Sequence, residues 1–194
     1  MTNDTSRRRR PARPTAEADR GQAAGTSRPF IVSSSHLATP GNEDLSEFEF
    51  ALTVVNHAFQ RWVTHCMTAV GLPELSALDS LILHSINHRH REKSISDLMF
   101  TLNLSERHYL NYAMKKLEEL DLITRRRQGK EAFVATTEKG RTICGSYAEL
   151  RKVCLLDLVP ADRKAAAVPI GDIAKALRVL TGFYEQASRS AASL

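Results

Sequence analysis

Apolar residues recur at Leu45, Phe48, Leu52, Val55, Phe59, Trp62, Cys66 and Ala69, in alternating steps of three and four. That spacing predicts a long amphipathic helix whose seam requires a partner helix. Gly71 and Pro73 close it. A second helix opens at Ser76, with Asp79 three residues on to complete a capping box, and runs through Leu78, Leu81, Ile82 and Ile86 to the polar run His88-Arg89-His90-Arg91. The same capping pattern at Ser94 and Asp97 opens a short helix through Leu98, Met99 and Phe100. After Leu102-Asn103-Leu104, Ser105 is placed to cap a helix reaching Leu120, where Asp121 breaks the pattern.

Leu122-Ile123-Thr124 and Ala132-Phe133-Val134-Ala135 then read as short strands around the turn Arg125-Arg126-Arg127-Gln128-Gly129-Lys130, a hairpin with a basic tip. A helix after Thr137 carries Ile143, Tyr147, Leu150 and Cys154 and stops near Pro160. A last one carries a second three-four seam through Ile170, Ile173, Leu177, Leu180, Tyr184 and Ala187. The chain is therefore predicted to be mainly α with a small β-hairpin wing. Helix, turn, helix and basic hairpin is the layout of a winged helix-turn-helix, here flanked by terminal helices with apolar seams.

At about 100° per residue, the 105–120 helix turns Leu110, Ala113, Met114, Leu117 and Leu120 to one side. The other side collects Ser105, His108, Tyr112, Lys115 and Lys116, with Tyr109 and Asn111 at its margins and Glu106 turned partly inward. Such a polar, cationic and aromatic face has donors for base edges and phosphates, although an ordinary surface helix presents a similar one to water. The hairpin shifts the balance. Arg125, Arg126, Arg127 and Lys130 precede the first acid, Glu131, and four like charges on so small an element call for an anion such as a phosphate backbone or a narrow minor groove.

Charge distribution adds a further point. Of a net charge of +5 over 194 residues, +4 lies in residues 1–29, where seven arginines face Asp4, Glu17 and Asp19. A basic tail over residues 1–41 is thus expected ahead of one folded domain over 42–194. Its Arg, Ser, Thr, Ala and Pro content suits either a disordered segment or a nucleic-acid contact. No apolar run approaches a membrane span and no secretory signal is read at the start, so a soluble, cytoplasmic protein is expected. Cys66, Cys144 and Cys154 match neither a disulfide framework nor a zinc site.

The run Met114-Lys115-Lys116-Leu117-Glu118-Glu119-Leu120-Asp121-Leu122-Ile123-Thr124-Arg125-Arg126-Arg127, followed by Thr136-Thr137-Glu138-Lys139-Gly140-Arg141, resembles the MarR family of winged-helix transcription regulators. Gln128 stands where the family usually has aspartate, Lys130 where it has arginine and Thr136 where it has leucine, and the wing is about three residues short. The resemblance implies terminal dimerisation helices, here 42–71 and 138–190, around a DNA-binding part over 74–136. It also implies a homodimer acting as a repressor, released by a small aromatic or phenolic effector. Two reading helices about 34 Å apart would fit an inverted-repeat operator. On this basis Ser105, His108, Tyr109, Asn111, Tyr112, Lys115, Arg125, Arg126, Arg127 and Lys130 are the expected DNA contacts. Phe59, Trp62, His65 and Tyr147 are candidates for an effector pocket, although aromatic residues at helical spacing more often form core.

Cysteine and histidine suggest two other chemistries. Cys144, with Arg141 nearby, has a setting that could lower its pKa for redox sensing, whereas Cys66 and Cys154 read as buried seam residues. His84 and His88 have the spacing of a helical metal pair, with His90 close by, but no carboxylate or cysteine completes a ligand set and the segment reads as a solvated helix end. No phosphate loop, His-Glu-x-x-His or nucleophile elbow is present, so neither an enzyme nor a bound cofactor is expected. The rival function is a winged-helix scaffold whose basic hairpin docks an acidic protein.

Overall fold

The computed structural model describes residues 41–129, 131–158 and 169–194. The basic tail, apart from Gly41, and Lys130 lie outside them. The chain divides between Ala51 and Leu52 into two units; the described part of the first is the beginning of helix α1, Glu43–Ala69. The second continues α1 and adds α2 (Ala77–Asn87), β1 (Lys93–Ser94), α3 (Ile95–Thr101), α4 (Arg107–Glu119), β2 (Ile123–Gln128), β3 (Glu131–Thr136), α5 (Glu138–Cys154) and α6 (Ile170–Ala191).

Helix starts follow the side-chain caps. Ser76 accepts from the Asp79 amide while the Asp79 carboxylate accepts from the Ser76 amide, the reciprocal box expected from the sequence. Ser94 caps α3 and Thr137 caps α5 by the forward half of that box, their hydroxyls accepting from the Asp97 and Gly140 amides. Helices α4 and α6 start without a side-chain cap bond: Glu106, not Ser105, occupies the cap position of α4, and Pro169 that of α6.

The ends of α1, α3 and α4 share one device. Gly71, Asn103 and Asp121 have φ of 89°, 52° and 56°, and each places the next residue's amide on a carbonyl five residues back: Leu72 to Met67, Leu104 to Met99, Leu122 to Leu117. This is the left-handed helix stop in which an apolar residue folds back beneath the last turn. Leu72 and Leu122 are buried accordingly.

The sheet is antiparallel in the order β1-β3-β2. The two-residue strand β1, not anticipated from sequence, pairs Lys93 with Val134 and Ser94 with Phe133. Strand β2 pairs with β3 from Ile123↔Thr136 to Gln128↔Glu131. The arginine run therefore lies along an extended strand and is not gathered at a hairpin tip.

The core joins Cys66 and Met67 of α1, Ile82, Leu83 and Ile86 of α2, Leu98 of α3, Leu110, Ala113, Met114 and Leu117 of α4, Leu122, Val134, and Cys144 and Tyr147 of α5. Only the end of the first seam, Trp62 and Cys66, meets it. Val55 and Phe59 of α1 are 58% and 46% exposed, and α6 buries no residue at all. The seams thus do not cover one another within the chain. No helix of the described residues is long and apolar enough to cross a membrane.

Gly140 sits where the start of α5 meets the end of α4. A Cβ built there would lie 2.0 Å from the Leu122 carbonyl oxygen. Gly140→Ala is accordingly expected to destabilise the fold by about 2 to 3 kcal/mol through forced backbone displacement, measured by urea unfolding. A cost below about 0.5 kcal/mol would show that the contact is not tight.

Candidate nucleic-acid interface

Helix α4 buries the side its periodicity assigns inward. Leu110, Met114 and Leu117 are fully buried and Ala113 nearly so. Ser105, His108, Tyr109, Asn111, Tyr112 and Lys115 are all exposed, with Tyr112 at 74%. The His108 and Tyr109 rings lie 4.0 Å apart, and His108 Nδ1 lies 3.3 Å from Glu106 Oε2. Glu106 is thus exposed, contrary to its expected inward turn. Lys116 corrects the wheel in the other direction. Its Nζ reaches the Asp79 carboxylate at 3.0 Å and donates to the Glu74 carbonyl, so this lysine ties α4 to α2 and leaves the outer face. The Asp79 side chain is only 6% exposed, so the pair is half-buried and fixes the angle at which α4 is held.

On the wing, strand alternation sorts the arginines. Arg126 lies beside Phe133, its guanidinium 5.1 Å from the ring centroid, and donates to both Glu92 oxygens at 2.7 and 2.5 Å. That bidentate bond holds the Glu92 carboxyl below the usual carboxylate range. Arg125 and Arg127 line the other side, facing α4. Arg125 is paired with Glu118 at 3.1 Å. The expected cluster of uncompensated cations is therefore corrected: two of its arginines meet the protein's own carboxylates, and Arg127 is left without a described partner.

The side facing α4 is a cleft of about 760 Å³, bounded by Ile95 and Ser96, by Arg107 and Asn111 of α4, and by Arg125, Arg127, Glu131 and Ala132 of the wing. Sequence reasoning missed Arg107. It opens α4, and only the convergence of the helix start with the strand gives it neighbours.

Residues 75–140, spanning α2 to the start of α5, match the family model described as a winged helix DNA-binding domain. These residues form a winged helix domain. No curated protein matches the sequence. Among solved structures, the chain is similar to the transcriptional regulator BldR from Sulfolobus solfataricus (19% identity, 75% of this chain and 99% of that one, TM-score 0.55). It is likewise similar to a MarR variant from E. coli complexed with operator DNA (14%, 73% and 99%, 0.58) and to AbsC, a MarR family transcriptional regulator from Streptomyces coelicolor (17%, 74% and 96%, 0.54). At these identities the likeness bears out the fold implied by the sequence resemblance, with helices around the winged helix domain included.

None of the effector candidates lines either of the two clefts described for this chain. Phe59 and His65 are exposed, Trp62 packs on the core from α1, and Tyr147 is buried in it. A shallower groove of about 620 Å³ between the end of α1 and α5 is lined by Ala69, Val70, Gly71, Ser146, Glu149, Leu150 and Val153. Cys144 is buried, and burial pushes its thiol up to about 11, the reverse of the activation considered from sequence. Cys154, expected to be buried, is exposed.

The run His88-Arg89-His90-Arg91 is exposed, as its reading as a solvated helix end expects, and His84 stands apart from it. The His84 ring lies 4.4 Å from that of Tyr147, and its Nε2 is buried without a hydrogen-bond partner among the described residues. Burial lowers its pKa from 6.5. A neutral buried histidine stabilises the winged helix domain above the unfolded value, and that contribution is lost as pH falls from there through the depressed folded value. The unfolding free energy should therefore decline from pH 7 to pH 5 more steeply in the native chain than in His84→Gln. Equal slopes in equilibrium denaturation would rule out this histidine as the source.

Proposed function

We propose that this chain is a sequence-specific, DNA-binding transcription regulator of the MarR type. The observation that carries the reading is α4: one face fully committed to the core, the other an exposed row of His108, Tyr109, Asn111, Tyr112 and Lys115 beside an arginine-bearing wing, with Lys115 meeting only the solvent-exposed Glu119 at 3.8 Å. A helix presented in this way suits a major groove, and the exposed donors suit base edges. Arg127 supplies the wing's uncompensated charge toward phosphate or a minor groove, with Lys130 three residues on in the sequence.

The uncovered seams of α1 and α6 support a homodimer, since amphipathic helices of that length gain most of their stability from packing. A two-fold dimer would read an inverted repeat. Repression, a cytoplasmic location and release by a small effector complete the proposal by analogy with the family. A cysteine-based sensor is disfavoured by the raised Cys144 thiol, and Phe59, Trp62, His65 and Tyr147 remain the effector candidates.

Genomic fragments retained by the purified full-length protein should share an inverted repeat with half-sites about 10 base pairs apart, centre to centre. Retention with no common sequence would instead favour the scaffold reading. On such a fragment, Tyr112→Ala should weaken binding about tenfold while leaving affinity for a random duplex within about twofold. Equal losses on both would reject base reading by this face. Glu92→Gln should release Arg126 and strengthen binding to random duplex, with a steeper dependence on salt. An unchanged dependence would place Arg126 away from the DNA.

A further inference from the structure

The C-terminal half of α4 is fixed within the winged helix domain. Lys116 ties it to Asp79 of α2, and the carbonyl of Leu120 at its exit accepts from Lys139 of α5. Helices α1 and α5 enter the same core through Cys66, Met67, Cys144 and Tyr147. Helix α6 does not: none of its residues is buried, and Ala174, Leu177 and Leu180 are only half-buried. Its relation to the reading helix therefore depends on contacts at the periphery, and one of them lands on the turn that feeds α4. The Asn103 side-chain amide donates to Glu185 Oε1 at 2.9 Å, across 82 residues of sequence. The second carboxylate oxygen, Oε2, lies 3.9 Å from Arg189 Nη1 one turn further along α6, so the acceptor is steadied from its own helix.

Asn103 performs two tasks at that turn. Its backbone, at φ 52°, stops α3 and directs the chain toward α4. Glycine would meet that backbone requirement without strain, but it would offer α6 no donor. We infer that Asn103 and Glu185 are a positioning pair for operator spacing: their hydrogen bond fixes the start of α4 against α6 and so sets the separation of the two reading helices in a dimer. This rests on the homodimeric, DNA-binding reading above. Helix α6 carries an uncovered seam for a second copy, so a bond from the α3–α4 turn to α6 refers each reading helix to the dimer axis. One extra base pair between half-sites displaces the second by about 3.4 Å and turns it about 35° around the duplex. A reading helix held at both ends resists that displacement, whereas one released from α6 follows it. In this role neither residue needs to touch DNA.

The test uses the full-length protein, a genomic duplex it retains, the same duplex with one base pair inserted or removed between the half-sites, and a random duplex. The quantity read is the ratio of affinities for native and altered spacing. Asn103→Gly keeps the left-handed stop and removes the donor, while Glu185→Ala removes the acceptor from an exposed helix position without touching the turn. Each should lower the ratio about fivefold and leave affinity for the random duplex within about twofold. The double variant should lower the ratio no further than either change alone, as expected of two partners in one bond. Glu185→Gln retains an acceptor oxygen and should keep the wild-type ratio, which separates the hydrogen bond from the charge. A wild-type protein indifferent to spacing, a ratio unaltered by Asn103→Gly and Glu185→Ala, or an equal loss in Glu185→Gln would overturn the positioning pair while leaving the regulator reading intact. Failure of the wild-type protein to bind any duplex would overturn both.

Discussion

The spatial relation between α4 and the wing is set by three backbone carbonyls. The chain leaves α4 at Leu120, and the turn into α5 accepts responsibility for the oxygens exposed there: Lys139 Nζ donates to Leu120 at 2.8 Å, Thr137 Oγ1 to Asp121 at 2.7 Å, and the Thr137 amide to Leu122 at 3.0 Å. Gly140 must lack a side chain for that approach to be close enough. Helix end, hairpin base and helix start are thereby joined at one place. Without this joint the exposed face of α4 and the arginines of β2 would have no fixed spacing, and the cleft between them would have no defined width.

Around that joint, the charged residues divide into those that hold the structure and those left over. Lys116 is consumed by Asp79 and the Glu74 carbonyl, Arg126 by Glu92, and Arg125 by Glu118. What remains on the same surface is Arg127, Arg107 and the α4 face. Net charge hides this division completely. A solvated ion pair adds little stability on its own, but pairs that anchor a helix or a strand decide where the uncommitted cations stand.

Much of the fold was legible because short-range rules governed it. The caps at Ser76, Ser94 and Thr137 were visible as oxygen-bearing side chains three residues ahead of their amides, and the buried side of α4 followed from its period. The stops at Gly71, Asn103 and Asp121 share a signature, a residue tolerant of left-handed backbone followed by leucine, that could have been read as a set. Errors arose where the outcome depended on a distant partner. Nothing in the local sequence says that Glu92 reaches Arg126, that Asp79 turns Lys116 inward, or that Tyr147 covers His84. The turn at Arg125–Lys130 was also misread as a loop, because charge run and strand look alike until the register of β3 is known.

Because β2 alternates, the wing's electrostatics depend on counting as well as on composition. Moving the arginine triplet by a single position, through an insertion or deletion before Arg125, would exchange the roles of its members. The guanidinium now stacked on Phe133 would enter the cleft, and its neighbours would turn away to the opposite surface. A change of two positions would preserve the arrangement. Related wings of this type can therefore vary freely in which basic residue they carry, while the parity of their length is constrained.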